Sequence, residues 1–146
     1  MTPIEDVSIQ LFQNSMHRTD QLCISPSTAA ILNQLAQQPL YARFIALFFQ
    51  EVAVISPTRY CKRWASRLRH HNFSGEDATI LALSTFASLG GIVTSMDYVV
   101  TFDKNMINRW QTQHSIIQTR FDAIHNDWAS SYRMAKLPQV VSLLGD

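Results

Sequence analysis

Twice in this chain a short apolar run is shut by Ser-Pro: Leu22-Cys23-Ile24 by Ser25-Pro26, and Val52-Ala53-Val54-Ile55 by Ser56-Pro57. Proline has no N–H for a ladder and suits the first turn of a helix, so each run reads as a strand handing over to a helix. The intervals agree with that reading. Ser25 or Ser27 caps a predicted helix to about Gln37, and Pro39 opens another over 39–50 that is apolar nearly all round and reads as buried. A helix over 58–70 is broken by Ser74-Gly75, and one from Glu76 to Leu89 is stopped by Gly90-Gly91. Tyr98–Phe102 has the β-branched and aromatic content of a strand, and residues 138–144 form a plausible last one. Strands alternating with helices imply an α/β fold with helices on both faces of a mostly parallel sheet.

The chain has 146 residues, room for one domain with its own core over 1–146. A composition that is 47% hydrophobic and 16% charged excludes a disordered or tail-like protein. Before Leu22, apolar residues at Ile4, Val7, Leu11 and Phe12 have helical spacing over 4–18, without the basic stretch and apolar run of a signal peptide. The greasiest segment, Phe44–Phe49, is too short to span a bilayer, so no membrane partner is expected. Cys23 and Cys61 are too few for a disulfide framework and suit a reducing, cytoplasmic setting.

A formal net charge of +1 gives no global pull on polyanions, so any such pull is local. It concentrates in 58–70. Five of the chain's twelve Lys and Arg lie there with no acid among them, and the rest of the chain carries seven cations against eleven acids. On a helical wheel Arg59, Lys62, Arg63, Arg67, Arg69 and His70 share one arc, while Tyr60, Cys61, Trp64, Ala65 and Leu68 share the other. A phosphate backbone matches such a face, and so does plain water.

From Ile107 on, Trp110, His114, Ile117, Phe121, Ile124 and Trp128 recur in a three-four spacing. A single helix of ~28 residues within 105–136 carrying this seam would run ~42 Å, longer than a small domain covers, which implies a homo-oligomer, most simply a two-fold dimer, through that helix.

Two carboxylates stand out by position. Asp77 opens the helix in Ser74-Gly75-Glu76-Asp77, and Asp103 ends the strand in Val99-Val100-Thr101-Phe102-Asp103. Ends of strands and starts of helices are where open α/β sheets place ligands, and paired carboxylates suit a hard cation. Each position is equally a helix cap.

The segments Glu76-Asp77-Ala78-Thr79-Ile80-Leu81-Ala82-Leu83 and Val99-Val100-Thr101-Phe102-Asp103-Lys104 resemble the C-terminal half of a PIN domain, with Ile24-Ser25-Pro26 and Val52–Ile55 in the matching order upstream. The resemblance covers roughly residues 20–105. It implies a three-layer α/β/α sandwich with a mostly parallel sheet, and a Mg²⁺- or Mn²⁺-dependent nuclease acting on RNA. Asp77 and Asp103 match the third and fourth acidic positions, Asn105 falls where an auxiliary acid is common, and Glu76 lies beside them as outer-shell help. Two features depart from the pattern. No apolar strand ending in Asp precedes Ile4, and residues 27–38 contain no carboxylate where the second acid would stand. Glu5, Asp6 or Asp20 are the available replacements. The gap in the sheet would be filled by Ile92-Val93-Thr94-Ser95, by a second copy of the chain, or by sequence upstream of Met1. The expectation is therefore a PIN-like ribonuclease with an incomplete acidic site (catalytic Asp77 and Asp103). The alternative is a non-catalytic nucleic-acid-binding or interaction module on the same fold.

Overall fold

The computed structural model describes residues 21–125, 127–128 and 130–142. The predicted helix at 4–18, with Glu5, Asp6 and Asp20, lies outside these residues, as does Leu143. The chain is mixed α/β and divides at Ser56/Pro57 into two compact units. Among the described residues no helix is long and apolar enough to cross a membrane.

The first unit runs β1 (Leu22–Ile24), α1 (Pro26–Leu35), α2 (Pro39–Glu51), β2 (Val52–Val54). The two helices form the crossover that lets β1 and β2 pair in parallel, with Leu22 opposite Val52 and Ile24 opposite Val54. The Ser-Pro reading holds after β1, whereas Ser56–Pro57 is itself a two-residue strand and the next helix begins only at Cys61. Ser25 Oγ accepts the Thr28 N–H at 3.2 Å, and Pro26 occupies the first helical position. The burial expected of α2 fails: Ile45 is its buried residue, while Leu40 is 82% and Phe44 52% exposed. A helix apolar all round is enclosed only when neighbours surround it.

The second unit holds α3 (Cys61–Arg69), α4 (Gly75–Thr85), β3 (Ala87–Leu89), β4 (Ile92–Thr94), β5 (Tyr98–Thr101), α5 (Lys104–His125), a 3₁₀ turn (Ser130–Tyr132) and β6 (Gln139–Ser142). Asn72, at φ 71°, turns the chain between α3 and α4, which pack on each other. The helix predicted to Leu89 stops at Thr85 because Ala87–Leu89 leaves it to pair with β4. Gly90 and Gly91, at φ 60° and 80°, make the two-residue hairpin turn that β-carbons would strain. Ile92–Thr94 is therefore a hairpin arm rather than an extra strand of a parallel sheet. β5 and β6 pair in parallel from Tyr98 opposite Gln139 to Thr101 opposite Ser142. Among the described residues no sheet exceeds three strands, so the observed architecture is mixed α/β with parallel pairs.

An aromatic cluster fills the second unit. The Phe86 ring lies 4.8 Å from Trp128, 6.2 Å from Trp64 and 6.2 Å from Phe121, and Tyr60 stands edge-on to Tyr132 at 4.5 Å. The C-terminal seam ends here. Trp110, Ile117, Phe121 and Trp128 are all buried within the chain itself. The helix predicted over 105–136 stops at His125, 22 residues and ~33 Å long. His125 Nε2 donates to the Arg133 carbonyl at 2.6 Å, and the turn beyond folds Trp128 and Tyr132 back onto Phe86. A shorter helix with its seam covered no longer calls for a second chain.

Candidate nucleic-acid interface

Three apolar positions fix the orientation of α3. Cys61, Trp64 and Leu68 recur at helical spacing and are buried. Cys61 Sγ donates to the Phe86 carbonyl at 3.1 Å, and burial pushes its thiol pKa up, which keeps it protonated. Trp64 stands edge-on to Phe121 of α5 at 5.6 Å. With that face committed, Lys62, Arg63 and Arg67 must emerge on the other.

They open into a cleft of about 1320 Å³ between α3 and α5. Arg59, Lys62, Arg63 and Arg67 line one wall, and Arg120 with Ser115 and Thr119 lines the other. His70 and His71 also line it, and His70 Nδ1 donates to the Ser66 carbonyl at 2.8 Å. No acid and no Phe, Tyr or Trp is among the lining residues. The Arg59 guanidinium is held over two rings, 5.0 Å from Tyr60 and 5.7 Å from Tyr132. Arg69, grouped with this arc from the sequence, is exposed and does not line the cleft. Arg120 is the residue that sequence reasoning missed. Its signal was available: on α5 it lies beside the buried stripe of Ile117 and Phe121, so that stripe turns it toward whatever flanks α3.

The two predicted carboxylates come together elsewhere in this unit. Ser74 Oγ accepts the Asp77 N–H at 3.1 Å and caps α4. Asp103 caps α5, its Oδ1 accepting the N–H groups of Asn105 at 2.9 Å and Met106 at 3.2 Å. Partial burial raises the Asp77 pKa above the usual carboxylate value, and the neighbouring Asp103 and Glu76 charges add to the rise. The Ser74 hydrogen bond and Arg109 oppose it. Glu76 is exposed, and Asn105 lines a small hollow of about 250 Å³ with Asn108, Arg109 and Thr112. Among the described residues no three His, Cys, Asp or Glu side chains converge as a cation centre. A first-turn carboxylate and a capping one beside an arginine do not fit the multi-carboxylate set that Mg²⁺- or Mn²⁺-assisted hydrolysis requires.

The proximity of the pair is measurable. A folded-state pKa above the unfolded value means that the folded chain holds the Asp77 proton more tightly. That contribution to stability is present below the ordinary carboxylate range and is lost as pH rises through the folded value. Asp103→Asn is expected to lower the Asp77 midpoint in a carboxyl-carbon NMR titration. An unmoved midpoint would show that the two carboxylates do not interact.

No protein-family model, curated protein or solved structure matches this chain. Its function is therefore argued from its own chemistry.

Proposed function

We propose that this chain is a nucleic-acid-binding protein that holds RNA along the cleft between α3 and α5, on a scaffold related to the PIN-like three-layer sandwich. The observation that carries the binding is the lining itself: five Lys and Arg side chains, Arg59 just before α3, three on α3 and Arg120 on α5, with no acid among them. Such a cleft repels itself in the absence of an anion and draws in a phosphate chain with release of counterions. The scaffold reading is supported by the parallel pairs β1–β2 and β5–β6 and by the meeting of Asp77 with Asp103. With hydroxyls and cations but no Phe, Tyr or Trp lining the cleft, contacts fall mainly on phosphate and sugar, so binding depends little on sequence. The two free cysteines suit a cytoplasmic protein. A homo-oligomer through 105–136 is not part of this reading, because the seam is buried within the chain.

The Asp77–Asp103 pair favours the second reading, a metal-dependent ribonuclease, and one experiment separates the two. Anisotropy of a labelled single-stranded RNA is followed between 50 and 200 mM salt, and a parallel incubation with Mn²⁺ is run on a gel. Five phosphate contacts predict a log–log slope of about −3.5, with homopolymers bound alike. A slope near zero, or no binding, sinks the proposal. Cleavage that is lost in Asp77→Ala/Asp103→Ala establishes the ribonuclease.

A further inference from the structure

Two side chains of the cleft carry a charge that depends on pH. Its Lys and Arg residues stay cationic across the neutral range, whereas His70, the C-cap of α3, and His71 beside it are imidazoles, which titrate between about pH 5 and 8. His70 is exposed and His71 half-buried, so both are open to water. The His70 Nδ1–H is committed to the Ser66 carbonyl, which leaves Nε2 as the atom that takes the second proton. That hydrogen bond is kept in the imidazolium, because Nδ1 donates in both forms.

The charges that face the pair are of one sign. On α3, Lys62, Arg63 and Arg67 line the cleft with them, and Arg69 is exposed outside it. Of the titratable residues of α5, Arg120 lines the cleft, while Lys104, Arg109, His114, Asp122 and His125 do not. Asp122 is engaged instead by Gln118 Nε2 at 2.9 Å. The helix packed on α3 is α4, whose acids Glu76 and Asp77 also lie outside the lining. Among the described residues the cleft therefore offers no carboxylate to answer a protonated imidazole. An anion from outside the chain must answer it.

We infer that His70 and His71 make RNA binding in this cleft pH-dependent: protonated, they extend its lining from five cations to seven, and RNA binding in turn takes up protons. This rests on the RNA-binding reading above and deepens it. The effect is electrostatic and needs no direct contact, since a charge acts over about a Debye length, ~10 Å at 0.1 M salt. The coupling is reciprocal: a polyanion that favours the charged imidazoles is bound more tightly once they are charged.

Oligouridine is the probe, because its bases stay neutral over the range in which imidazole titrates. Its affinity is measured against salt at about pH 8 and about pH 5.5, for the wild type, His70→Gln/His71→Gln and His114→Gln. For the wild type the log–log slope is expected to steepen from about −3.5 to about −4.9 as pH falls, with roughly 10- to 25-fold tighter binding near 0.1 M salt. His114→Gln, outside the cleft, is expected to follow the wild type. The double variant is expected to keep a slope of about −3.5 at both pH values. A wild-type slope that ignores pH, or a double variant that still steepens, overturns the inference and leaves RNA binding intact. A wild type that binds no oligouridine at either pH removes both readings. A second measurement needs no variant: calorimetric titration near pH 6.5, in buffers of different ionisation enthalpy, is expected to show net proton uptake on binding. Binding without uptake also overturns the inference.

Discussion

Phe86→Ala is expected to lower the unfolding free energy by about 3–5 kcal/mol, the range for emptying a large aromatic from a packed core. Phe86 is 1% exposed, and its ring meets Tyr60, Trp64, Phe121, Trp128 and Tyr132. Those neighbours come from α3, α5 and the turn after α5, so the void would lie where three segments converge and none can close it alone. The Phe86 carbonyl accepts from the Thr58 hydroxyl at 2.6 Å, the Thr58 N–H at 3.2 Å and Cys61 Sγ at 3.1 Å. These bonds survive the substitution, so the loss measures ring packing. Against a typical domain stability of about 5–15 kcal/mol, it leaves the second unit marginal. Urea unfolding followed by tryptophan fluorescence reads it, since Trp64 and Trp128 both touch the ring. A loss under about 1 kcal/mol, the scale of an exposed-site change, would show that Phe86 is not the hub of the cluster.

Reversing charge on both walls of the cleft gives the largest functional effect. Arg63→Glu with Arg120→Glu removes two cations and adds two anions, one on each helix. Each charge engaged with a single strand is worth about 0.7 log unit of affinity between 1 M and 0.1 M salt. Four such changes predict roughly 10²- to 10³-fold weaker RNA binding near 0.1 M salt. Both residues are exposed, so thermal stability should move little. The Arg69→Glu control, outside the cleft, should cost far less. If Arg69→Glu proves as damaging as the pair, binding follows net charge and the cleft has no special part in it.

The elements closest to single-residue rules were the ones legible in advance. Ser25 caps the helix it precedes, and Ser74-Gly75 falls at the break between two helices. Asp77 and Asp103 were placed at helix starts by their neighbours in sequence, and the fold brings them within reach of each other. What was misread involves partners far along the chain. Ala87–Leu89 continues a helical pattern until β4 pairs with it, and the 105–136 helix breaks after His125 because Phe86 draws Trp128 and Tyr132 back. Periodicity cannot register either event, since it records only which side of an element is apolar and not what covers it.

The same division runs through the candidate site. Burial of Cys61, Trp64 and Leu68 is dictated by their spacing, and with it the outward arc of Arg59, Lys62, Arg63 and Arg67 was determined by sequence alone. Tertiary structure decided that this arc faces Arg120 and that Arg69 is left out. The reason is physical. An amphipathic pattern is a local property of 3.6-residue geometry, whereas a cleft needs two helices set at a distance by the side chains packed between them, here Trp64 against Phe121 around Phe86.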